Sequence, residues 1–284
     1  MAKDRSPDAF QPDEEVSHAF VRALDRMSVE GRRLAEASPG PLQEAIHVQR
    51  LLIKRSRALL WLARPVVAPG IFEESRANLR AAARLLAAHR DVTATRLTLE
   101  KLKRKTSGRR RKALAHAARM MSRVAEAGEF PDKERHLRLR ESAGVFGGAV
   151  KEIKGAVAGR EAWPPLAGRL EKAFRTMSRA GKKATATARA EEFHQWRKKA
   201  KRLLYLLEFA GAEPKRRKAR LIKKVDKLQA KLGDYHDCVV AGESLRTKLP
   251  DEPVTRAALA RLKKREAQLG KRARKIARRI KPDA

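Results

Sequence analysis

Apolar residues recur along this chain with the spacing of α-helices. Between its glycine and proline clusters they return every three or four positions, and no segment alternates cleanly between apolar and polar residues. Alanine, leucine, arginine, lysine and glutamate dominate, and all of them favour helices. The pattern therefore predicts an all-α protein, with helices over 14–37, 41–66, 72–102, 108–127, 132–154, 163–180, 188–210, 214–244 and 252–280.

The charge balance indicates the class of partner. The 284 residues include 68 Lys and Arg against 33 Asp and Glu, which gives a net charge of +35. Hydrophobic residues make up 42% of the chain, enough to fill a core, so this charge does not imply disorder. We expect a soluble, cytoplasmic protein that binds a polyanion.

Several other classes are excluded by the same sequence. No apolar run approaches the roughly 18 residues that a membrane span needs, and the acidic start lacks the apolar region of a signal peptide. Cys238 is the single cysteine, which excludes an internal disulfide framework and a multi-cysteine zinc site. We expect no membrane partner, no metal and no cofactor, and the oligomeric state stays open.

Two motifs occur twice in the same order. His47, Arg50, Lys54 and Arg55 are matched about 147 residues further on by His194, Arg197, Lys201 and Arg202. Each motif is followed by a second helix, and these helices end in the similar segments 86–91 and 232–237. The repeat predicts two duplicated helical bundles, residues 10–145 and 146–284, related by a pseudo-twofold axis with a basic groove between them.

The repeated helix carries an acid-free polar face. With His194 as the reference, residues within about 80° around the helix are Arg197, Lys198, Lys201, Arg202 and Tyr205. The first copy aligns His47, Arg50, Lys54 and Arg57, with Arg55 at the edge. Because like charges at helical spacing destabilise a helix, an acid-free face in duplicate indicates that a ligand supplies negative charge. The alternative is a pair of basic surface helices without a specific ligand.

The following helices continue this pattern. In the first half, Arg76, Arg80 and Arg84 recur at intervals of four residues and point along one helix face. In the second half the corresponding cations are Arg220, Lys223, Lys224, Lys227 and Lys231. Arg90-Asp91 and His236-Asp237 end the two helices, and their aspartates either orient neighbouring cations or cap and brace the helices.

In combination, these motifs resemble the CHAD domain, the conserved-histidine α-helical domain. The segments that carry the resemblance are "HVQRLLIKRSRALLWL" with "LLAAHRD" and "FHQWRKKAKRLLYLLEF" with "LQAKLGDYHD", and it covers roughly residues 12–280. The resemblance implies two helical bundles around a basic groove that binds inorganic polyphosphate. It assigns to that groove His47, Arg50, Lys54, Arg55, Arg90, His194, Arg197, Lys201, Arg202 and His236. Ala87 stands where the family motif has glycine.

The residue types suit such a ligand independently of the resemblance. Arginine binds phosphate oxygens as a two-pronged donor and lysine as a point charge, whereas a neighbouring polyanion favours the charged form of histidine. We therefore predict non-catalytic binding of polyphosphate and association with polyphosphate granules. The helix-face pattern adds Arg57, Arg76, Arg80, Arg84, Lys198, Tyr205, Lys223, Lys224, Lys227 and Lys231 to the site.

Two alternatives remain open. The first is sequence-independent binding of RNA or DNA, for which the basic segments 103–112 and 263–281 are candidates. The second is a phosphohydrolase built on His236 and Asp237, which the lysines and arginines around them disfavour because cations repel a divalent metal. No nucleotide-binding P-loop motif is present.

Overall fold

The computed structural model describes residues 8–11, 14–36, 41–87, 90–127, 130–158, 160, 163, 165–211 and 215–280. For residues 90, 91, 127 and 215–218 it describes the backbone alone. The described residues form ten α-helices and no strand, which confirms the all-α prediction. The helices are α1 (Val16–Glu36), α2 (Leu42–Ala63), α3 (Pro69–Leu85), α4 (Arg90–Lys103), α5 (Gly108–Ala127), α6 (Asp132–Val157), α7 (Leu166–Thr187), α8 (Ala190–Phe209), α9 (Lys215–Lys248) and α10 (Pro253–Ala277).

One predicted helix is wrong, because residues 72–102 form two helices, α3 and α4. The buried residues Phe72, Leu79 and Leu86 share one face of α3 and its end. On an uninterrupted helix, the buried Thr95 and Leu99 would lie about half a turn away from that face. The chain therefore breaks near residue 87, although neither glycine nor proline marks the position. The remaining helices begin and end within a few residues of their predicted limits, except that α7 extends seven residues further.

The chain divides into two compact units, each assembled from separated segments. Unit 1 contains Met1–Ala87, Pro131–Arg175 and Arg202–Ile222. Unit 2 contains Ala88–Phe130, Thr176–Lys201 and Lys223–Ala284. Helices α7, α8 and α9 therefore contribute residues to both units. The duplicated halves 10–145 and 146–284, their pseudo-twofold axis and the groove between them stay predictions.

Unit 1 is a bundle of α1, α2, α3 and α6, to which parts of α7, α8 and α9 are added. Helix α6 packs against the other three, and α2 packs against α1 and α3. A Cβ atom at Gly31 would lie 2.8 Å from Oε1 of Gln49, so glycine lets α1 and α2 approach closely. The fully buried core of this unit includes Phe20, Leu24, Ile53, Leu79 and Phe146.

Unit 2 is built from α4, α5 and α10 with parts of α7, α8 and α9. Helix α5 packs against α4 and α10. The rings of Phe193 and Tyr235 stack with centroids 4.3 Å apart, and the Tyr235 hydroxyl donates a 3.0 Å hydrogen bond to Glu266. These contacts join α8, α9 and α10 and fix the helices that carry His194 and His236. Among the described residues, no helix is long and apolar enough to cross a membrane.

Candidate functional site

Six arginines of unit 1 interact with one another, and two of them contact the ring of Trp61. They come from four helices and comprise Arg57 and the adjoining Arg64 from α2, Arg76 and Arg80 from α3, Arg169 from α7 and Arg202 from α8. We call this set the Trp61 arginine cluster. The guanidinium carbons of Arg169 and Arg202 lie 4.2 Å and 4.9 Å from the centroid of the Trp61 ring. Both distances fall within the range of cation–π contacts, so the half-buried indole supports two of the cations.

The arginines of the cluster destabilise one another's charged forms, as their lowered pKa values show. Burial and the neighbouring Arg57, Arg169, Arg76 and Arg64 lower the pKa of Arg202 to about 10. Burial, followed by Arg80 and Arg76, also lowers the pKa of Arg57, although this side chain remains exposed on one side. A guanidinium rarely shows such a shift, because its ordinary pKa lies above 12. The arginines of the cluster therefore repel one another, and a bound anion would reduce this repulsion.

Carboxylates do little to offset this repulsion. Arg76 pairs with Glu73 on its own helix, in an exposed contact three residues apart. Within the described part of the chain, the structure records no ion pair for the other five arginines of the cluster. An exposed pair such as Arg76–Glu73 contributes little. The net charge of the cluster is therefore strongly positive, and its counter-charge has to come from solution or from a ligand.

Arg169 is the buried member of the cluster. Its side chain donates a hydrogen bond to the backbone oxygen of Trp61, and the residue is only 7% exposed. Its Nε has no hydrogen-bond partner among the described residues, and burial and Arg64 lower its pKa. The oxygen it binds lies at the carboxyl end of α2, where helix carbonyls carry partial negative charge. Arg169 thus fixes both the end of α2 and the Trp61 ring.

Two histidines meet in unit 2. The rings of His194 on α8 and His236 on α9 have centroids 4.5 Å apart and are tilted by 34°. The Nδ1 atom of His194 is buried and has no hydrogen-bond partner among the described residues. Burial, then Lys198 and Arg197, lower the pKa of His194, while Glu191 opposes them. Without a ligand, the imidazole of His194 is therefore neutral at pH 7.

This environment predicts a pH-dependent affinity for polyanions. Because the pKa of His194 is lowered in the free protein, an anion bound nearby raises it and binding takes up a proton. With inorganic polyphosphate as a polyanionic probe, we expect the measured affinity to rise roughly three- to tenfold as the pH falls from about 7.5 to 5.5. Replacement of His194 by glutamine should flatten this profile in a fluorescence titration. An unchanged profile in that variant would contradict this role of His194.

Three predicted residues of unit 1 lie against groups of the protein outside the Trp61 arginine cluster. Arg55 lies 3.5 Å from Asp8 and 3.3 Å from Glu208, so its charge is balanced by two carboxylates. Tyr205 lines a small cavity next to these three residues. Arg50 donates a hydrogen bond to the backbone oxygen of Leu86, just beyond the end of α3, where helix carbonyls lack intrahelical partners.

The other predicted residues of unit 1 fall into two groups. Arg57, Arg76, Arg80 and Arg202 are the four that join the Trp61 arginine cluster. His47 near the start of α2 and Arg84 near the end of α3 are exposed, and Lys54 is half-buried. The structure thus brings together one predicted residue of α2, two of α3 and one of α8.

Unit 2 holds most of the remaining predicted residues. Lys198 on α8 and Lys223, Lys224 and Lys227 on α9 are exposed, whereas Arg197 and Lys201 are half-buried. Lys231 is 3.5 Å from Asp234, which also accepts a 2.6 Å hydrogen bond from Lys101. The side chain of Arg90 lies outside the described residues.

Two observations bear on catalytic chemistry at the site. Among the residues that the structure describes, no group of three or more His, Cys, Asp and Glu could hold a metal ion. Burial raises the pKa of Cys238 to about 12, so its thiol is protonated at neutral pH and a poor nucleophile. What the Trp61 arginine cluster and the His194–His236 pair can provide is a set of hydrogen-bond donors and positive charge.

Comparison with known proteins identifies the family. A sequence model of the CHAD domain matches residues 22–246. The chain belongs to the CHAD domain family. This membership confirms the resemblance inferred from the repeated motifs. A comparison with curated protein sequences gave no match.

Two solved structures share the CHAD fold with this chain. The crystal structure of the CHAD domain from the plant Ricinus communis has a TM-score of 0.70 and 17% sequence identity, over 96% of this chain and 95% of that one. PptA from Streptomyces chartreusis has a TM-score of 0.65 and 16% identity, over 94% of this chain and 99% of that one. At such low sequence identities, these two comparisons show only that the folds are similar.

The sequence of this CHAD protein did not reveal two members of the arginine cluster. Arg64 follows Trp61 by three positions, a helical spacing that places it on the same face, so this residue could have been found. Arg169 belongs to α7, which carries no part of the repeated motifs, and the sequence around it gave no signal. The structure leaves the Trp61 ring half-buried beneath two guanidinium groups.

Proposed function

We propose that this protein binds inorganic polyphosphate without cleaving it, and that the Trp61 arginine cluster is the principal contact in unit 1. The observation that carries the proposal is a group of five arginines without a recorded carboxylate partner among the described residues, in which the pKa of Arg202 is lowered to about 10. Membership of the CHAD family supports a polyphosphate-associated role.

Polyphosphate suits the cluster because of its uniform charge. It carries about one negative charge per repeating unit, and each unit offers oxygens that a guanidinium can bind with two hydrogen bonds. The five arginines of the cluster other than the buried Arg169 come from α2, α3 and α8, and the indole ring fixes Arg202 among them. They can contact successive phosphates without any need to recognise a base or a sugar. In unit 2, His194, His236, Lys198 and the exposed lysines of α9 supply further donors for the same type of ligand.

Binding without turnover follows from the same chemistry. Phosphate transfer requires a metal, an activated nucleophile or a general base placed near the reacting group. The Trp61 arginine cluster and the His194–His236 pair contribute guanidinium and imidazole groups instead, and the buried thiol of Cys238 is protonated. We infer that the protein retains polyphosphate, and that this retention directs it to polyphosphate granules in the cytoplasm.

A competition assay tests this function. Labelled long-chain polyphosphate is bound at about 150 mM salt, near physiological ionic strength, and displaced by unlabelled polyphosphate or by single- or double-stranded DNA. We expect unlabelled polyphosphate to compete at least about tenfold better per phosphate than either form of DNA. Polyphosphate and DNA both carry phosphate charge, but only the polyphosphate chain is thin enough for several guanidinium groups to surround it. Free phosphate is measured in the same samples with added divalent metals. Better competition by DNA, or sustained phosphate release, would contradict the proposal.

A further inference from the structure

Helix α5 in unit 2 carries a second row of cations that the proposed function does not use. Its members, called the α5 basic stripe, are Arg109, Lys112, His116, Arg119 and Arg123. They lie within about 80° around the helix and extend over about 21 Å. The buried residues of α5, among them Leu114, Ala117 and Met121, lie on the opposite side. The stripe therefore faces solvent, and its four arginine and lysine residues are all exposed.

The α5 basic stripe opposes the stability of its own helix. Arg109 to Lys112 are four consecutive cations in the first turn, which contains no acid. Cations at the amino end of a helix oppose its dipole, and like charges three or four residues apart repel one another. Among the described residues, the structure records no ion pair for any arginine or lysine of the stripe. The positive charge of the stripe can therefore be balanced by an anion from outside the protein.

Helix α10, which packs against α5, carries a similar row. Lys264, Lys271, Lys275 and Arg278 form the α10 basic stripe, which lies opposite buried residues such as Leu262 and Leu269. All four cations are exposed. Arg261 donates a 3.3 Å hydrogen bond to the Thr106 hydroxyl, so α10 is fixed to the turn that precedes α5.

The residue types on the two helices indicate which class of polyanion they would bind: a membrane, a single strand or a duplex. A helix that lies on a membrane inserts apolar side chains beside its cations, but the exposed large apolar residues of the described chain, Val29, Ile71, Leu97 and Leu137, all lie outside α5 and α10. Proteins that bind single strands stack bases on aromatic rings, and α5 and α10 contain no Phe, Tyr or Trp. The backbone of a duplex requires neither feature, because its phosphates face outward.

We propose that the α5 and α10 basic stripes bind the phosphate backbone of double-stranded nucleic acid, independently of sequence. This activity involves residues distinct from the Trp61 arginine cluster, so it does not depend on the polyphosphate proposal. Each cation that contacts a phosphate releases a counterion, and the affinity should therefore fall steeply with salt.

The test is a titration of the full-length protein with a short fluorescent DNA duplex over a range of salt concentrations. The triple variant Arg109→Gln, Arg119→Gln, Arg123→Gln should bind the duplex at least about tenfold more weakly, with a log–log salt slope smaller by about 2 to 3 units. Its affinity for polyphosphate should stay within about twofold of the wild type. A second variant, Lys264→Gln, Lys271→Gln, Lys275→Gln, tests α10 separately, and circular dichroism verifies that both variants are folded.

The matched control removes three charges from ion pairs in unit 1, through Arg33→Gln, Arg135→Gln and Arg138→Gln. It should change duplex affinity by less than about threefold. Unchanged duplex affinity in both stripe variants, or an equal loss in the control, would overturn the proposal. So would tighter binding of single strands or of anionic lipid vesicles than of the duplex. An equal loss of polyphosphate affinity in the stripe variants would assign these residues to polyphosphate instead.

Discussion

Replacement of Arg202 by methionine should weaken polyphosphate binding roughly ten- to a hundredfold, which corresponds to the loss of a charged hydrogen bond of about 1.5–3 kcal/mol. The same substitution should raise the melting temperature by about 2–4 °C. Burial and four neighbouring arginines lower the pKa of Arg202 to about 10. A base whose pKa is lowered by folding destabilises the folded state at every pH at which it is charged, and neutral pH lies in this range. Methionine keeps the apolar contact with Trp61 and removes the charge.

The measurement is thermal unfolding of both proteins with and without polyphosphate. Without ligand, the Arg202→Met variant should be the more stable protein. With saturating ligand the order should reverse, because a ligand stabilises the protein it binds more tightly. Arg110→Met, which removes an exposed charge from α5, should leave both melting temperatures within about 1 °C of the wild type. A lower melting temperature for Arg202→Met without ligand would contradict the conclusion that the charge of Arg202 destabilises the folded protein.

Replacement of Arg169 by lysine should weaken polyphosphate binding about five- to tenfold, although the charge is kept. The arginine donates to the backbone oxygen of Trp61 and lies 4.2 Å from the centre of its ring. A lysine ammonium cannot make both contacts, because it lacks the planar fork of a guanidinium. The indole of Trp61 is then no longer held in one position. The cation–π contact that orients Arg202 on the same ring is weakened as a result. Arg169 is thus a positioning residue, too buried to contact the ligand itself.

A double-mutant cycle with Arg202→Met distinguishes positioning from a structural role. If Arg169 acts through Trp61 and Arg202, the two substitutions should be less than additive in binding free energy, by about 0.5–1.5 kcal/mol. Isothermal titration calorimetry gives the four affinities required. Wild-type affinity in Arg169→Lys would show that Arg169 contributes only its charge. Additive losses would show that Arg169 acts independently of Arg202, which would contradict the positioning role.

Helical spacing in the sequence singled out four of the six arginines that form the Trp61 arginine cluster. Their helical spacing placed Arg57 on one face of α2 and Arg202 on one face of α8, and the row Arg76–Arg80 on α3 was visible in the same way. These predictions rest on local periodicity, which a helix preserves. The family was identified from the repeated motifs, and the match over residues 22–246 confirms it.

What the sequence did not predict depends on contacts between distant segments. Arg55 was grouped with the ligand-binding cations, yet its partners Asp8 and Glu208 lie 47 and 153 residues away along the chain. Arg169 reaches Trp61 across 108 residues. The break between α3 and α4 was missed because it is marked by a shift in the buried face rather than by glycine or proline. Local patterns do not contain this information, since it depends on which helices pack together.

The measurement that tests the account most directly is the salt dependence of polyphosphate affinity in the wild type, Arg202→Met and Arg110→Met. These variants lose the same charge, but Arg202 lies in the Trp61 arginine cluster and Arg110 on the exposed surface of α5. At about 150 mM salt, we expect Arg202→Met to bind at least about tenfold more weakly than the wild type and Arg110→Met less than about threefold more weakly. The log–log slope should be smaller by about one unit in Arg202→Met alone. Equal losses in the two variants would show that net charge, rather than a formed arginine cluster, binds polyphosphate.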